Sequence, residues 1–580
     1  MRLRDFARLK THSLKNLRAL APSWQKQKKL TNHKNHKTMI RQAILISCGF
    51  FINSILAQEI PKIITSKTDY LPDFSYAGYR FGESPIPEAN GKIINAADFG
   101  VKANDNLDDS KALLKAFKAA NAIEGNVIVQ LPAGRIILSD ILYIERSNFV
   151  LRGAGSAENG TEIYCPRPMM YLKDSDVLAE LREYLTTFDK RQREPENNID
   201  LPFSQYAWSG GFIWTQVPGE RVKSYLDKYQ PESNPLAKVS SGKMGEHIVT
   251  VSDVKGLKVG DVVELQLFNK DGENGEIIND LYQGAKVKPG SHHWKFPKLP
   301  IVRQQVEIAK ISGSKITLQT PLTISVKPSY QAQLVEWKHL NEVGIEQLRF
   351  TFPDIPRVAH HVEPGNNGIF LTRLFNSWVK DVKITNADSG ILAEEVSNVT
   401  IQDVTTDGSH LAHYTVTLGG VHNVLVKNLK IYNSAVHPLS FNTFATKNVY
   451  QNCEIFTDPV LDQHSGANHQ NLFDNITVHL KADKNNSYAL FGGGGADYWK
   501  PSHGPFSTFW NLNIQVENPD QSKPVLLYGM KDGALARIVG VHGNAKFEIK
   551  YNIDPYIEFL NMPIEKIPSL YDYQLKKRLK

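Results

Sequence analysis

The chain has 580 residues, ordinary apolar (41%) and aromatic (10%) content, and a formal net charge of +7. Such a length admits several domains or one extended repeat array. Twelve Lys/Arg and a single Asp fall in residues 1–41, leaving 55 basic against 59 acidic residues from Gln58 onward; the basic balance belongs to the N-terminal segment and gives no ground for a nucleic-acid partner.

Residues 1–38 read as a non-native extension ahead of Met39. Residues 39–57 read as a signal peptide: Arg41, the apolar run Ala43 to Phe51, then Ser54-Ile55-Leu56-Ala57 before Gln58. The apolar run is too short for a membrane span, so a secreted or periplasmic protein with no span in its mature chain is expected. Leu45-Ile46-Ser47-Cys48 faintly resembles a lipoprotein box, but the apolar character continues to Leu56, which argues against a lipid anchor. Cys165 and Cys453 remain, with no CxxC or Cys/His zinc pattern, and read as small core residues.

Residues 58–90 form an extended lead-in. A strand at Ile93 to Phe99 ends in Gly100, and Asp108-Asp109-Ser110 opens an amphipathic helix with Leu113, Leu114 and Phe117 on one face. Two further strands, Val127 to Leu131 and Asn148 to Arg152, each close on Gly. In this order, Asp98-Phe99-Gly100, Asp108-Asp109-Ser110, Leu131-Pro132-Ala133-Gly134 and Leu151-Arg152-Gly153-Ala154-Gly155 resemble the opening of the pectate-lyase superfamily. The resemblance implies an all-β fold, a right-handed parallel β-helix (β-solenoid) with an N-terminal capping helix. It leaves the reaction open, because lyases, glycoside hydrolases and phage tailspikes share that opening. The stretches Asp462-Gln463-His464, Asn471 to Ile476 and Ser569 to Leu575 resemble a bacterial branch of the superfamily, which implies no catalytic assignment.

The spacing gives N-terminal rungs with a long loop over 91–240, an inserted small β-barrel or sandwich over 241–330, the main β-helix with its groove over 331–550, and a tail and helix over 551–580. Within the main helix an Asn- or Lys-led apolar strand recurs, as in Ser397-Asn398-Val399-Thr400-Ile401 and His422-Asn423-Val424-Leu425-Val426. Its marks at Val379, Val399, Val424, Val449 and Leu472 lie 20, 25, 25 and 23 residues apart, the period of a β-solenoid.

Aligned on these marks, the intervening segments hold a column of polar side chains. His413, His437, Asp462 and His464 are the candidate catalytic residues; Arg373, Glu394, His410, Tyr414, Asn442, His469, Trp499, Lys500 and His503 are the candidate substrate contacts. Imidazoles interleaved with Asp and Tyr suit proton transfer near neutral pH. Glycoside hydrolysis needs two carboxyls ~5–9.5 Å apart, and Glu394 and Asp462 stand three rungs apart, ~14 Å at the rise of a parallel sheet. Asp462 with Asp497 is the remaining pair. The residues therefore favour a polysaccharide lyase: His437 or His464 takes the proton of a uronic acid, Asp462 orients the imidazole, and Lys500 or Arg373 faces the carboxylate. A glycoside hydrolase and a non-catalytic glycan-binding protein are the alternatives. The His292-His293-Trp294 and His360-His361 pairs suit loops better than chelation, so no metal site is expected there; the cofactor stays open, with Ca²⁺ at Asp-rich turns an option that no ligand motif supports. The expected partner is a polysaccharide, and the expected state a monomer.

Overall fold

A computed structural model describes residues 59–172, 204, 206–220, 234–290, 298–357, 360–464, 467–495 and 500–580. The expected extension and signal peptide, most of the long loop after 172, the His292-His293-Trp294 run, Asp497 and Trp499 lie outside them. Among the described residues, no helix is long and apolar enough to cross a membrane.

The chain winds as a right-handed parallel β-helix. The strand Lys92–Asn95 pairs in parallel with Val127–Gln130, which pairs with Phe149–Arg152, which pairs with Val343–Thr351; the large sheet then runs on to Arg537–Gly543 and Tyr556–Leu560. The coil thus continues past residue 550. One inward column can be followed rung by rung: Val379, Ile401, Val426, Tyr450, Phe473, Phe509, Ile538. All seven are buried in one core, with Tyr450 on Phe473 and Phe473 on Phe509 as stacked rings 5.8 and 5.1 Å apart. The rung offsets along this column are 22, 25, 24 and 23 residues. The Asn-led marks therefore slip by two residues at Val379 and by one between Val424 and Val449. A one-residue slip in a strand exchanges the buried face for the exposed one, and Val449 indeed stands level with Leu425 on the outer face.

The corners of the coil need residues that tolerate the left-handed region. Asp381, Asp403, Asn428, Asn452, Asn475 and Asn511 take φ between 52° and 57°, a conformation open to short polar side chains that bond locally. Their side chains then link successive corners: Asn428 donates to Asp403 (2.9 Å) and Asn475 to Asn452 (2.8 Å). At a second corner Asn448 donates to Asn471 (3.0 Å), and Asn471 donates to the carbonyl of Ala445 (2.8 Å), satisfying backbone that the turn leaves unpaired.

The N-terminal end and one outer face are covered. The helix Ser110–Asn121 buries Leu113, Ala116, Phe117 and Ala120, and its first N–H is held by Asp108; an open solenoid end would otherwise invite edge pairing. The outward apolar column Leu425, Val449 and Leu472 is covered by Phe74 and Ala77 of the lead-in and by Ile567, Leu570 and Tyr571 of the C-terminal segment. Each such side chain contributes about 1.5–3 kcal/mol. The C-terminal helix Leu570–Arg578 is capped by Ser569, and buried Asp474 accepts from the N–H groups of Leu570 and Tyr571. Between the early rungs and the main coil, six strands from Pro235–Gly242 to Gln333–Glu336 close an antiparallel barrel with its own core. Cys165 and Cys453 are free and buried.

Candidate active site

Eight parallel strands make a second sheet, in the spatial order Phe491–Gly494, Leu461–His464, Ala435–Phe441, Ala412–Gly419, Ser389–Glu394, Asn367–Thr372, Ile213–Thr215, Leu142–Ile144. Register aligns Leu392, Thr417, Ser440, Asp462 and Gly492 in one row and Tyr414 with His437 in another. Residues i and i+2 share a face, so His464 stands beside Asp462 on the outer side of its strand.

Asp462 is the centre of the polar network. Its Oδ2 accepts from Ser440 Oγ at 2.7 Å, lies 2.6 Å from His464 Nδ1, and lies 3.3 Å from His437 Nδ1. Burial alone would push this carboxyl up; the His464 and His437 imidazoles overcome it and hold Asp462 well below the usual carboxylate range. His464 keeps 16% of its side-chain surface open to solvent, whereas His437 is buried. Gly494, level with His464 on the next strand, leaves room for the ring: a Cβ there would come within 1.9–2.3 Å of three imidazole atoms.

The second half of the site comes from the loop between Thr351 and Asn367. His360 Nε2 lies 3.1 Å from His413 Nε2, and His413 Nδ1 lies 3.4 Å from Glu363, which is also paired with Arg357 (2.9 Å). The rings then run on without a gap: His360 to His413 4.6 Å, His413 to His437 5.5 Å, His437 to His464 4.5 Å, with Tyr414 stacked on both His413 (4.2 Å) and His437 (5.1 Å). Burial pushes His413 down to about 4 against the pull of Glu363, and pushes His360 down to about 3 with help from its neighbouring imidazoles. His437 is lowered by burial as well, although Asp462 opposes the shift. Around neutral pH the rings of His360, His413 and His437 are uncharged and stand beside two ionised carboxylates, Glu363 and Asp462.

His413, His437, Asp462 and His464 thus converge, with Tyr414 among them. Asn442 reaches Tyr414 Oη (3.4 Å) and, with Glu394, Thr417 and Trp208, lines a shallow hollow further along the same sheet. The remaining candidates are held elsewhere. Arg373 is buried and paired with Glu395 (3.1 Å), which also meets Arg303 of the barrel (3.4 Å). Lys500 donates to Ser502 Oγ (2.9 Å) and to the Gly493 carbonyl (3.3 Å). His469 is buried on a turn column with His422 and Thr446. His503 is buried at the far end, bonded to the Gly504 carbonyl and to Tyr551.

His410 sits outside the cluster, at the base of the loop that carries His360 and Glu363. Its Nε2 meets Asp388 Oδ1 and its Nδ1 meets the Ile355 carbonyl, both at 2.8 Å, while Asp388 Oδ2 accepts from the N–H groups of Gly365 and Asn366 (3.0 and 2.7 Å). Both ends of the loop that carries His360 and Glu363 are therefore tied to one buried pair. Sequence reasoning had no means of placing His360, Glu363 or Arg357 here. Their only signal was the His360-His361 doublet, which the expectation of a plain loop set aside and the structure brings against His413.

No family model matches the chain, and no curated protein matches it. Among solved structures it is similar to the tailspike protein gp49 from Pseudomonas phage LKA1, at 12% identity over 81% of this chain and 81% of that one, with a TM-score of 0.43. It is also similar to the A-module of the mannuronan C-5 epimerase AlgE4 from Azotobacter vinelandii (12% identity, 81% of this chain, 97% of that chain, TM-score 0.28). A third is the hyperthermoactive exopolygalacturonase from Thermotoga maritima (9% identity, 82% and 93% covered, TM-score 0.29). At these identities the likeness concerns fold alone.

Proposed function

We propose that the protein is an exported polysaccharide lyase that cleaves a uronic-acid-containing glycan by β-elimination, with His464 as the base. The observation that carries this reading is the Asp462–His464 pair: a buried carboxylate bonded to Nδ1 of a partly open imidazole. That bond sets the tautomer, with the proton on Nδ1 and the lone pair on Nε2. Nε2 takes the C5 proton, the C5–H electrons form the C4=C5 double bond, and the C4–O bond breaks toward the leaving oxygen, which is protonated by water.

Abstraction beside a carboxylate needs positive charge nearby. Arg357 supports this role better than Arg373, since it borders the cluster through Glu363 whereas Arg373 is enclosed with Glu395. Hydrolysis by paired carboxyls gains no support from the described residues. Glu394 lies three strands from Asp462, and Glu363 is already engaged by Arg357 and His413.

The test is incubation of the purified protein with polyuronates such as pectin, alginate and ulvan. Ultraviolet-absorbing unsaturated products are expected. New reducing ends without that absorbance would mean hydrolysis and overturn the reading, as would retardation of a glycan in a gel with no product.

A further inference from the structure

Three imidazoles, His360, His413 and His437, converge so that one ligand atom from each lies within 4.8 Å of the others. The Nε2 atoms of His360 and His413 face each other at 3.1 Å. Two imidazole nitrogens about 3.3 Å apart are what a tetrahedral ion with ~2.0–2.1 Å bonds requires. His437 is buried, and its Nε2 has no hydrogen-bond partner, an arrangement that costs stability unless something fills the position. Two of the three rings also carry a carboxylate on the opposite side: Glu363 lies 3.4 Å from His413 Nδ1 and Asp462 lies 3.3 Å from His437 Nδ1. Carboxylates in that position orient metal-bound histidines and raise their basicity.

We infer that His360, His413 and His437 form a binding site for one divalent transition-metal ion of the zinc class, with Glu363 and Asp462 as the outer carboxylates. The donor set selects the ion. Imidazole nitrogen suits Zn²⁺, Ni²⁺ and Cu²⁺, whereas Ca²⁺ takes oxygen ligands, which the triad does not offer. Three protein ligands leave a fourth position open, the pattern of a catalytic rather than a structural zinc. Elsewhere in the coil, His422 and His469 also leave an Nε2 without a partner, but the buried ammonium of Lys447 stands beside both, and it repels a cation. Resting on the elimination reading, the ion would bind the uronate carboxylate near His464, whose ring is 4.5 Å from that of His437.

The test uses the full chain after chelator dialysis, titrated with Zn²⁺ alone by calorimetry, with Ca²⁺ as the contrasting ion. One Zn²⁺ per chain is expected, with Ca²⁺ far weaker. Loss of at least tenfold in affinity is expected for His360→Ala, which removes an exposed ring and leaves the core intact, and for Glu363→Gln. His479→Ala, on a distant surface pair with Glu454, leaves affinity unchanged. No zinc uptake by the wild type, or uptake equal in wild type and His360→Ala, overturns the site. Because binding is read without substrate, zinc uptake in a protein that forms no unsaturated product retains the site and removes the elimination reading instead.

Discussion

Two sets of histidines stand on successive rungs of the same coil and meet different partners. His422 and His469 belong to a turn column, Ser397, His422, Thr446, His469, where each ring bonds only to neutral groups: His422 to the Thr446 hydroxyl (2.8 Å), His469 to the Ala467 carbonyl (3.1 Å). His413, His437 and His464 lie one face away, and every one of them meets a carboxylate. Rung spacing is shared by both sets and cannot distinguish them. What separates the two sets is the group that each imidazole nitrogen meets and the loop that packs against the rings.

The sharpest way to break this contrast is Asp462→Asn. It keeps the shape but removes the charge that fixes the His464 tautomer, and kcat on a polyuronate is expected to fall by ~10²–10⁴-fold, the usual worth of a positioned acid–base group, with KM moved far less. Equal loss in kcat from His469→Asn would erase the distinction. Next in size, Gly494→Ala presses a methyl into the His464 ring; a misplacement of that order costs ~10²-fold in rate, with little change in Tm. Third, His410→Ala cuts the tie between Asp388 and the Ile355 carbonyl. Unfolding by urea should show a loss of ~1–3 kcal/mol for the buried partners left unpaired, and activity should fall with the loosening of His360 and Glu363.

A fourth prediction concerns acid. His422, His469 and His503 are pushed down by burial to about 3, about 4 and about 4, the first two beside Lys447 and the third facing Asp532. Their folded values lie below the unfolded value of ~6.5, so the unfolded chain binds more protons in between. Stability is therefore present above about pH 6.5 and lost as pH falls toward the folded values. Tm measured across that window should decline, and His469→Asn should shallow the decline. An unchanged slope would place the acid lability elsewhere.

The fold was legible because its signals are local and repeated. Asp and Asn at the corners are needed for a left-handed φ, and apolar residues on the strands are needed for a continuous core, so both recur in the text of the chain. Register was less legible: Val424 and Val449 look equivalent beside their Asn residues, yet rungs of 24 and 25 residues differ by one, which moves a side chain through the sheet. The site was half legible. Asp462, His464, His437 and His413 lie on strands that the period places together, whereas His360, Glu363 and Arg357 arrive on an irregular loop with no period to read. Arg373 was misleading for a related reason: its partner Glu395 comes from a corner and is shared with Arg303 of the inserted barrel.

The Asp388–His410 pair has a wider consequence. It grips residue 355 at one end and residues 365 and 366 at the other, so the span between them leaves the coil and returns within a single buried contact. Closing a loop costs entropy that rises only slowly with its length, about 0.6 kcal/mol for each doubling. The stretch from 356 to 364 is thus a cassette: longer or differently charged sequences could be spliced between the same two anchors without disturbing the rungs, and the coil would carry a different chemistry on an unchanged frame.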